Sequence, residues 1–252
     1  MSLPLRDLTV HLDAYLRVAE VSDAAHALNG LQVENAGAVS KVAVAVDACQ
    51  ATIDASAAHD ADLLLVHHGL FWAGLEPLTG RHGRRVRSLI RHNIALYSAH
   101  IPLDLHPEVG NNAVLARLLG LDDPQPFGDY LGQQIGVKGT LSTSRAALVD
   151  TLGDLLGVEP MVIPGGPDDA KCVGVITGGG GSMIRNAVEA GVDTFITGEG
   201  AHHTYFDAEE AAINVIYAGH YATETVGVKA LAEHIEHKFG LPWVFLDHPT
   251  GL

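Results

Sequence analysis

The chain is poor in cysteine and holds only Cys49 and Cys172 among its 252 residues. The two lie far apart and neither belongs to a Cys-x-x-Cys pair, which excludes a thiolate zinc site of the usual spacing. Both flank predicted strands, so we expect two reduced thiols. The cysteines therefore do not suggest a thiolate metal site.

Basic residues are also scarce, with 15 Lys and Arg against 30 Asp and Glu and a formal net charge of −15. Nucleic-acid binding depends mainly on the neutralisation of phosphates by basic side chains. The charge therefore argues against a basic nucleic-acid-binding surface. It would also repel an anionic nucleotide unless bound cations offset the field locally. We expect a small-molecule partner, with a nucleotide as one candidate.

Long uninterrupted apolar runs are missing as well. None reaches the roughly 18 residues that a membrane span needs, and the longest candidate, residues 172–184, is broken by glycines. The N-terminal residues have no apolar core of a secretory signal. These features predict a cytoplasmic protein without a membrane partner. Because 47% of the residues are hydrophobic, the chain can still bury a sizeable core.

Short apolar runs alternate with helical patterns along the chain and predict an α/β fold. V-A-V-A-V-D at 42–47 and L-L-L-V at 63–66 are typical of buried strands. The spacing of apolar residues at 5–20 and 82–93 predicts helices. D-D-P-Q-P-F-G at 122–128 has the composition of a linker.

An internal repeat divides the chain. D-L-L-L-V-H-H-G at 62–69 aligns with D-T-F-I-T-G-E-G at 193–200, and A-L-Y-S-A-H-I-P-L-D at 95–104 aligns with V-I-Y-A-G-H-Y-A-T-E at 215–224. We therefore predict duplicated α/β units with mixed sheets flanked by helices. The predicted segments are a first repeat at 1–124, an intervening strand–helix–strand segment at 125–170 and a second repeat at 171–252.

Histidines and carboxylates recur where predicted strands end, which is where α/β folds place their ligand sites. The clusters are His67 with His68, His100 with Asp104, Glu199 with His202 and His203, and His220 with Glu224. Residues i and i+4 of a helix share one face, so His-x-x-x-Glu can direct both side chains to one ion. Imidazole with carboxylate suits zinc, iron or manganese. Adjacent histidines just past a strand could serve two ions roughly 3.5–4 Å apart.

Two further motifs have structural interpretations that we prefer. The run Gly178 to Ser182 lies between a strand and a helix, where phosphate loops occur, but it lacks the Gly-Lys-Ser/Thr ending, and we expect a tight turn. A basic helix face could bind phosphates, although such a face is more commonly solvated. Its members are Arg81, Arg84, Arg85, Arg87 and Arg91.

Several specific motifs occur along the chain in a fixed order. They are N-G-L-Q-V-E, L-L-V-H-H-G-L-F-W, S-A-H-I-P-L-D with G-N-N-A-V-L-A, T-G-E-G and A-G-H-Y-A-T-E. Through these motifs, nearly the whole chain resembles the NIF-three-like family of dinuclear metal-centre proteins, often named GTP cyclohydrolase 1 type 2 homologues, in which they follow the same order. The resemblance implies a duplicated fold, a toroidal homohexamer and two divalent transition-metal ions per chain, held where the two halves meet.

The resemblance also assigns residues to that centre. The implied metal ligands are His67, His68, Asp104, His220 and Glu224. His100 and Glu199 are implied to lie near the ions, and we predict that either could carry protons as a catalytic residue.

Three functions remain open from the sequence. A two-metal site lowers the pKa of water and suits hydrolysis, and the family name implies attack on the imidazole ring of a guanine nucleotide with release of formate. A second possibility is a non-catalytic metal-binding or metal-delivery protein. The third is a phosphoesterase that uses the same two ions.

Overall fold

The structure is a computed structural model that describes residues 2–252. Its contacts divide the chain into two compact units. The first comprises the residues up to Val109 together with Val228–His248, and the second comprises Gly110–Gly227 with Pro249–Leu252. Each unit has its own sheet flanked by helices, in agreement with the predicted fold class.

The first unit contributes ten elements before the chain enters the second. They are β1 (Leu3–Pro4), α1 (Leu5–Tyr15), β2 (Gly30–Val33), β3 (Ala38–Val39), β4 (Val42–Asp47), α2 (Gln50–Ala58), β5 (Leu63–His68), α3 (Gly80–Arg91), β6 (Ala95–Ser98) and α4 (Ile101–Asp104).

The second unit follows, and the chain then returns to the first. The elements are α5 (Asn111–Leu118), β7 (Asp122–Tyr130), β8 (Gln133–Ser144), α6 (Arg145–Leu156), β9 (Met161–Pro164), β10 (Asp169–Ile176), a 3₁₀ turn (Gly180–Met183), α7 (Ile184–Glu189), β11 (Thr194–Thr197), α8 (Thr204–Glu210), β12 (Asn214–Tyr217), α9 (His220–Thr223), α10 (Thr225–Phe239) and β13 (Trp243–Phe245).

The sheet of the first unit has the strand order β13-β4-β5-β6-β2. Strands β4, β5 and β6 run parallel, and β2 pairs antiparallel with β6. Strand β5 is buried on both faces: Leu63 and Leu65 pack in a core with α1 and α10, whereas Leu64 and Val66 pack in a core with α2 and α3. This two-sided burial explains why the strand is continuously apolar rather than alternating.

The sheet of the second unit has the strand order β7-β8-β10-β11-β12-β9. Its three parallel strands are β10, β11 and β12, with β8 and β9 antiparallel at their sides. The prediction of a linker at 122–128 is wrong, because these residues lie in β7 and pair with β8. Strand β7 is at the edge of the sheet, the position where a sheet tolerates prolines such as Pro124 and Pro126.

The two units share an arrangement that supports the predicted duplication. In each, three parallel strands alternate with helices, and the third strand leads directly into a short helix with a histidine at its start. That histidine is His100 before α4 in the first unit and His220 in α9 of the second.

The units are bounded differently from the three segments predicted from the sequence. Residues 110–124 lie in the second unit, and so does the whole segment 125–170. Residues Val228–His248 belong to the first unit, because Val228, Leu231 and Ile235 of α10 are buried in its core. Within residues 2–252, no helix is long and apolar enough to cross a bilayer.

Candidate metal centre

The end of β5 brings three histidines together in the first unit. One ligand atom from each of His67, His68 and His100 lies within 4.8 Å of the other two. His67 is fully buried, and its ring centroid lies 4.7 Å from that of His68 and 4.9 Å from that of His100. Trp72 packs edge-on against His100, with a centroid distance of 4.8 Å. The carboxyl end of the sheet thus forms an imidazole-rich site.

Each of these three histidines has its Nδ1 atom held by an oxygen that can only accept a hydrogen bond. His67 donates to the carbonyl of Ala99 at 2.9 Å, and His68 donates to Oδ1 of Asp47 at 2.9 Å. His100 donates to Oδ1 of Asp23, also at 2.9 Å. Because carbonyl and carboxylate oxygens accept, Nδ1 carries the proton and Nε2 is the nitrogen that a metal ion would take.

A network of polar groups holds Asp23 in turn. The side chain of Asn29 and the backbone N–H of Ile101 also donate to its carboxylate. Burial by itself raises the pKa of Asp23. The hydrogen bond and charge of His100, together with hydrogen bonds from Asn29 and the backbone of Ala24, lower the pKa overall. The carboxylate is therefore ionised at neutral pH and fixes the ring of His100.

Asp104 completes the group in the first unit. It is the last residue of α4, a short helix that follows β6, and only 6% of its surface is exposed. Its Oδ2 atom lies 3.6 Å from Nε2 of His67. Nδ1 of His67 is bonded to Ala99, so Nε2 is the nitrogen available to a metal. The carboxylate of Asp104 lies next to that nitrogen.

The second unit repeats this pairing of imidazole and carboxylate. Nε2 of His220 lies 3.2 Å from Oε1 of the buried Glu224, one helical turn later. Nδ1 of His220 donates to Oε1 of Glu199 at 2.8 Å. His202 and His203, by contrast, are exposed, and His203 faces Asp207 rather than Glu199.

The protonation of His220 shows how strongly this pair attracts positive charge. The hydrogen bond to Glu224, together with the charges of Glu224 and Glu199, outweighs burial and raises the pKa of His220 to about 9. A proton therefore lies between Nε2 and the Glu224 carboxylate at neutral pH. A divalent cation could replace that proton in the same position.

A glycine allows the backbone to approach Glu224 closely. Gly178 has φ +66°, and a Cβ atom at this residue would overlap the carboxylate of Glu224 and crowd His220. Its carbonyl accepts hydrogen bonds from the N–H groups of Gly198 and Glu199, and its own N–H donates to Thr223. The glycine run therefore forms a tight turn, as the sequence predicts, and one that shapes the carboxylate site.

The donor set fits a transition-metal ion. It contains four histidines whose rings are fixed by hydrogen bonds or lie close to carboxylates, and it contains no thiolate. Ligands of these types suit zinc, iron or manganese. Motif reasoning alone did not find Asp47 and Asp23, which orient His68 and His100. Asp47 is a carboxylate at the end of the strand V-A-V-A-V-D, which is a signal that the sequence carries, and the structure pairs it in register with His68. Asp23 lies 77 positions from His100 and has no such signal.

Comparison with known proteins identifies the family of this chain. The sequence model of the family described as Duf34/NIF3 (NGG1p interacting factor 3) matches residues 3–250. A protein of Deinococcus radiodurans named GTP cyclohydrolase 1 type 2 homolog is 47% identical over 98% of this chain and 94% of its own length. A protein of the same name from Halobacterium salinarum is 45% identical, over 99% of this chain and its full length.

Solved structures agree with the sequence matches. The crystal structure of TTHA1606 from Thermus thermophilus superposes with a TM-score of 0.92 at 46% identity, covering 99% of this chain and 100% of the other. Because the family model spans nearly the whole sequence and the relatives align end to end, this chain belongs to the Duf34/NIF3 family.

Proposed function

We propose that this protein is a metal-dependent hydrolase with a dinuclear centre of zinc, iron or manganese. The proposed ligands are His67, His68, Asp104, His220 and Glu224. One observation carries the proposal: two histidines, His67 and His220, each have Nδ1 bonded to an acceptor and Nε2 directed at a buried carboxylate. This is the orientation that metal-binding histidines adopt.

The two ions would supply Lewis acidity and would lower the pKa of a bound water molecule. The protein's own part is to fix the ligands and to move protons. Asp47 holds His68 and Glu199 holds His220, each through Nδ1. We propose that Glu199, whose side chain is 48% exposed, exchanges protons with the substrate and solvent. His100, fixed by Asp23, is the second candidate for proton transfer, or for a further ligand.

The names of the relatives support a substrate class. Relatives that are 39–47% identical are named GTP cyclohydrolase 1 type 2 homolog, which favours a nucleotide or a related cyclic amide or amidine. The chain has a net charge of −15, which repels an anionic substrate, and two cations would offset this field locally at the site. We also propose that the protein assembles as a toroidal homohexamer, which light scattering in solution would test.

Metal analysis of protein purified without chelator is the first test. We expect about two ions per chain, the number that a two-metal site requires, and fewer than about one would contradict the dinuclear centre. Glu224→Ala should lose metal, whereas Glu210→Ala, an exposed carboxylate of α8 in the same unit, should retain it.

Activity is the second test. The metal-loaded protein should release formate from GTP, and Glu224→Ala should not. If the loaded protein binds two ions but opens no nucleotide or cyclic amidine, the hydrolase proposal fails. Transfer of the ions to a metal-free acceptor protein would then indicate a metal-delivery protein.

A further inference from the structure

Helix α3 carries an unusual concentration of positive charge. Five of the fifteen Lys and Arg residues of the chain lie in its twelve residues, G-R-H-G-R-R-V-R-S-L-I-R. Most of them are exposed. Among residues 2–252, none of the five forms an ion pair with a carboxylate, although acidic residues outnumber basic ones two to one. No ion pair among the described residues therefore offsets the charge of α3.

This arrangement opposes the stability of the helix. Arg81 and Arg84 lie near the N-terminus, where the helix dipole disfavours cations, and the first turn has no acidic residue. Arg87 and Arg91 are four residues apart, a spacing at which like charges repel. Clustered like charges of this kind weaken a helix without a structural gain, and residues that break local rules in this way are typical of functional sites.

A groove between α2 and α3 gathers three of these arginines. It has a volume of about 310 Å³ and is lined by Gln50, Asp54, Arg84, Arg87, Ser88 and Arg91. The one carboxylate in the groove, Asp54, accepts hydrogen bonds from two neutral groups, Nε2 of Gln50 at 2.8 Å and Oγ of Ser88 at 3.2 Å. The guanidinium groups therefore face the groove with no anionic partner, and the groove has a net positive charge.

We propose that this groove binds a compact ligand with two or more phosphate groups, through Arg84, Arg87 and Arg91. Guanidinium groups bind phosphate oxygens through paired hydrogen bonds. The volume matches the lower end of small-molecule sites. A long nucleic acid would run beyond the groove over a chain of net charge −15 and be repelled. Free polyphosphate and the phosphates of a nucleotide both offer the phosphate oxygens that this groove would bind.

Calorimetric titration with inorganic triphosphate tests the site. Arg84→Gln/Arg87→Gln should weaken binding at least about tenfold, in line with the loss of two charge-assisted contacts. The control Arg17→Gln/Arg185→Gln changes the net charge equally but removes exposed arginines that pair with Glu20 and Glu189, and it should bind as the unmodified protein does. Affinity should also fall as the salt concentration rises.

Two further measurements separate this site from the proposed metal centre. Glu224→Ala should still bind triphosphate, because the groove lies in the other unit. The double arginine variant should melt at or above the temperature of the unmodified protein, because it relieves repulsion within α3. Comparison of triphosphate with a nucleoside triphosphate shows whether a base adds affinity.

Several results would overturn the proposal. One is equal triphosphate binding by Arg84→Gln/Arg87→Gln and by the control Arg17→Gln/Arg185→Gln. Another is loss of triphosphate binding only in Glu224→Ala. A single-stranded oligonucleotide that binds the groove while triphosphate does not would assign it to nucleic acid instead. A change of oligomeric state in the arginine variant, without triphosphate binding by either protein, would assign α3 to a contact between copies of the chain.

Discussion

Nδ1 of His68 donates a hydrogen bond to Oδ1 of Asp47, and the two residues are paired in register at the ends of neighbouring parallel strands. The strand pairing therefore sets the contact, and Asp47 fixes which nitrogen of His68 would meet a metal. A carboxylate in this position also makes the imidazole a stronger ligand.

Removal of this carboxylate should weaken metal binding without removing a ligand. We expect Asp47→Ala to lower metal affinity about 10- to 100-fold, and Asp47→Asn to lie between Asp47→Ala and the unmodified protein because its amide oxygen can still accept. Competition with a coloured chelator measures the effect. Asp7→Ala, an exposed carboxylate of α1, is the control, and equal affinities for Asp7→Ala and Asp47→Ala would refute a role for Asp47.

Gly178 should be required for the position of Glu224. Gly178→Ala introduces a Cβ atom into the carboxylate of Glu224, whereas Gly157→Ala has a similar φ, +68°, and open space. Each substitution should cost about 1 kcal/mol from left-handed backbone strain. Only Gly178→Ala should also reduce metal content. Thermal unfolding and metal analysis of both variants check this, and equal metal retention would show that the close approach is unimportant.

The metal-free protein should lose stability as the pH rises from about 6.5 to about 9. The folded-state pKa of His220 is raised to about 9 from 6.5, first through its hydrogen bond to Glu224. The folded protein therefore holds this proton more tightly than the unfolded chain, and the resulting stabilisation is complete below pH 6.5 and is lost as His220 deprotonates.

Urea unfolding of metal-free protein across that pH range measures the loss. Glu224→Gln should flatten the dependence, because the principal cause of the shift is removed. Metal affinity should rise over the same range, since the ion replaces the proton on Nε2. A stability that is constant from pH 6.5 to pH 9 would show that His220 is not protonated as described.

Asn214 should be a main polar support of the second unit. It is fully buried, donates to the carbonyl of Pro167 and accepts from the N–H of Gly166. Asn214→Ala leaves both backbone groups without their side-chain partner and should destabilise the protein by about 2–3 kcal/mol. Chemical denaturation checks this, with Gln125→Ala, exposed on β7, expected to change stability by less than about 0.5 kcal/mol.

The sequence by itself determined the α/β class, the repeat and the candidate ligands. Periodicity is a local property, so the buried run at Leu63–Val66 could be identified without its neighbours. The histidines and carboxylates end or follow strands, and parallel strands bring such ends to one edge of a sheet. The link between His100 and His220 came from the repeat.

Tertiary structure alone decided which residues support those ligands and where the chain divides. Asp23 reaches His100 across 77 positions, a contact that no local pattern encodes. The prolines of β7 suggested a linker because proline disfavours most strand positions. A sheet edge tolerates proline, but only the pairing of strands shows that β7 lies at an edge. Helix α10 belongs mostly to the first unit because its apolar face is buried in that core. Packing between distant segments set each of these outcomes, whereas residue type and spacing set the chemistry.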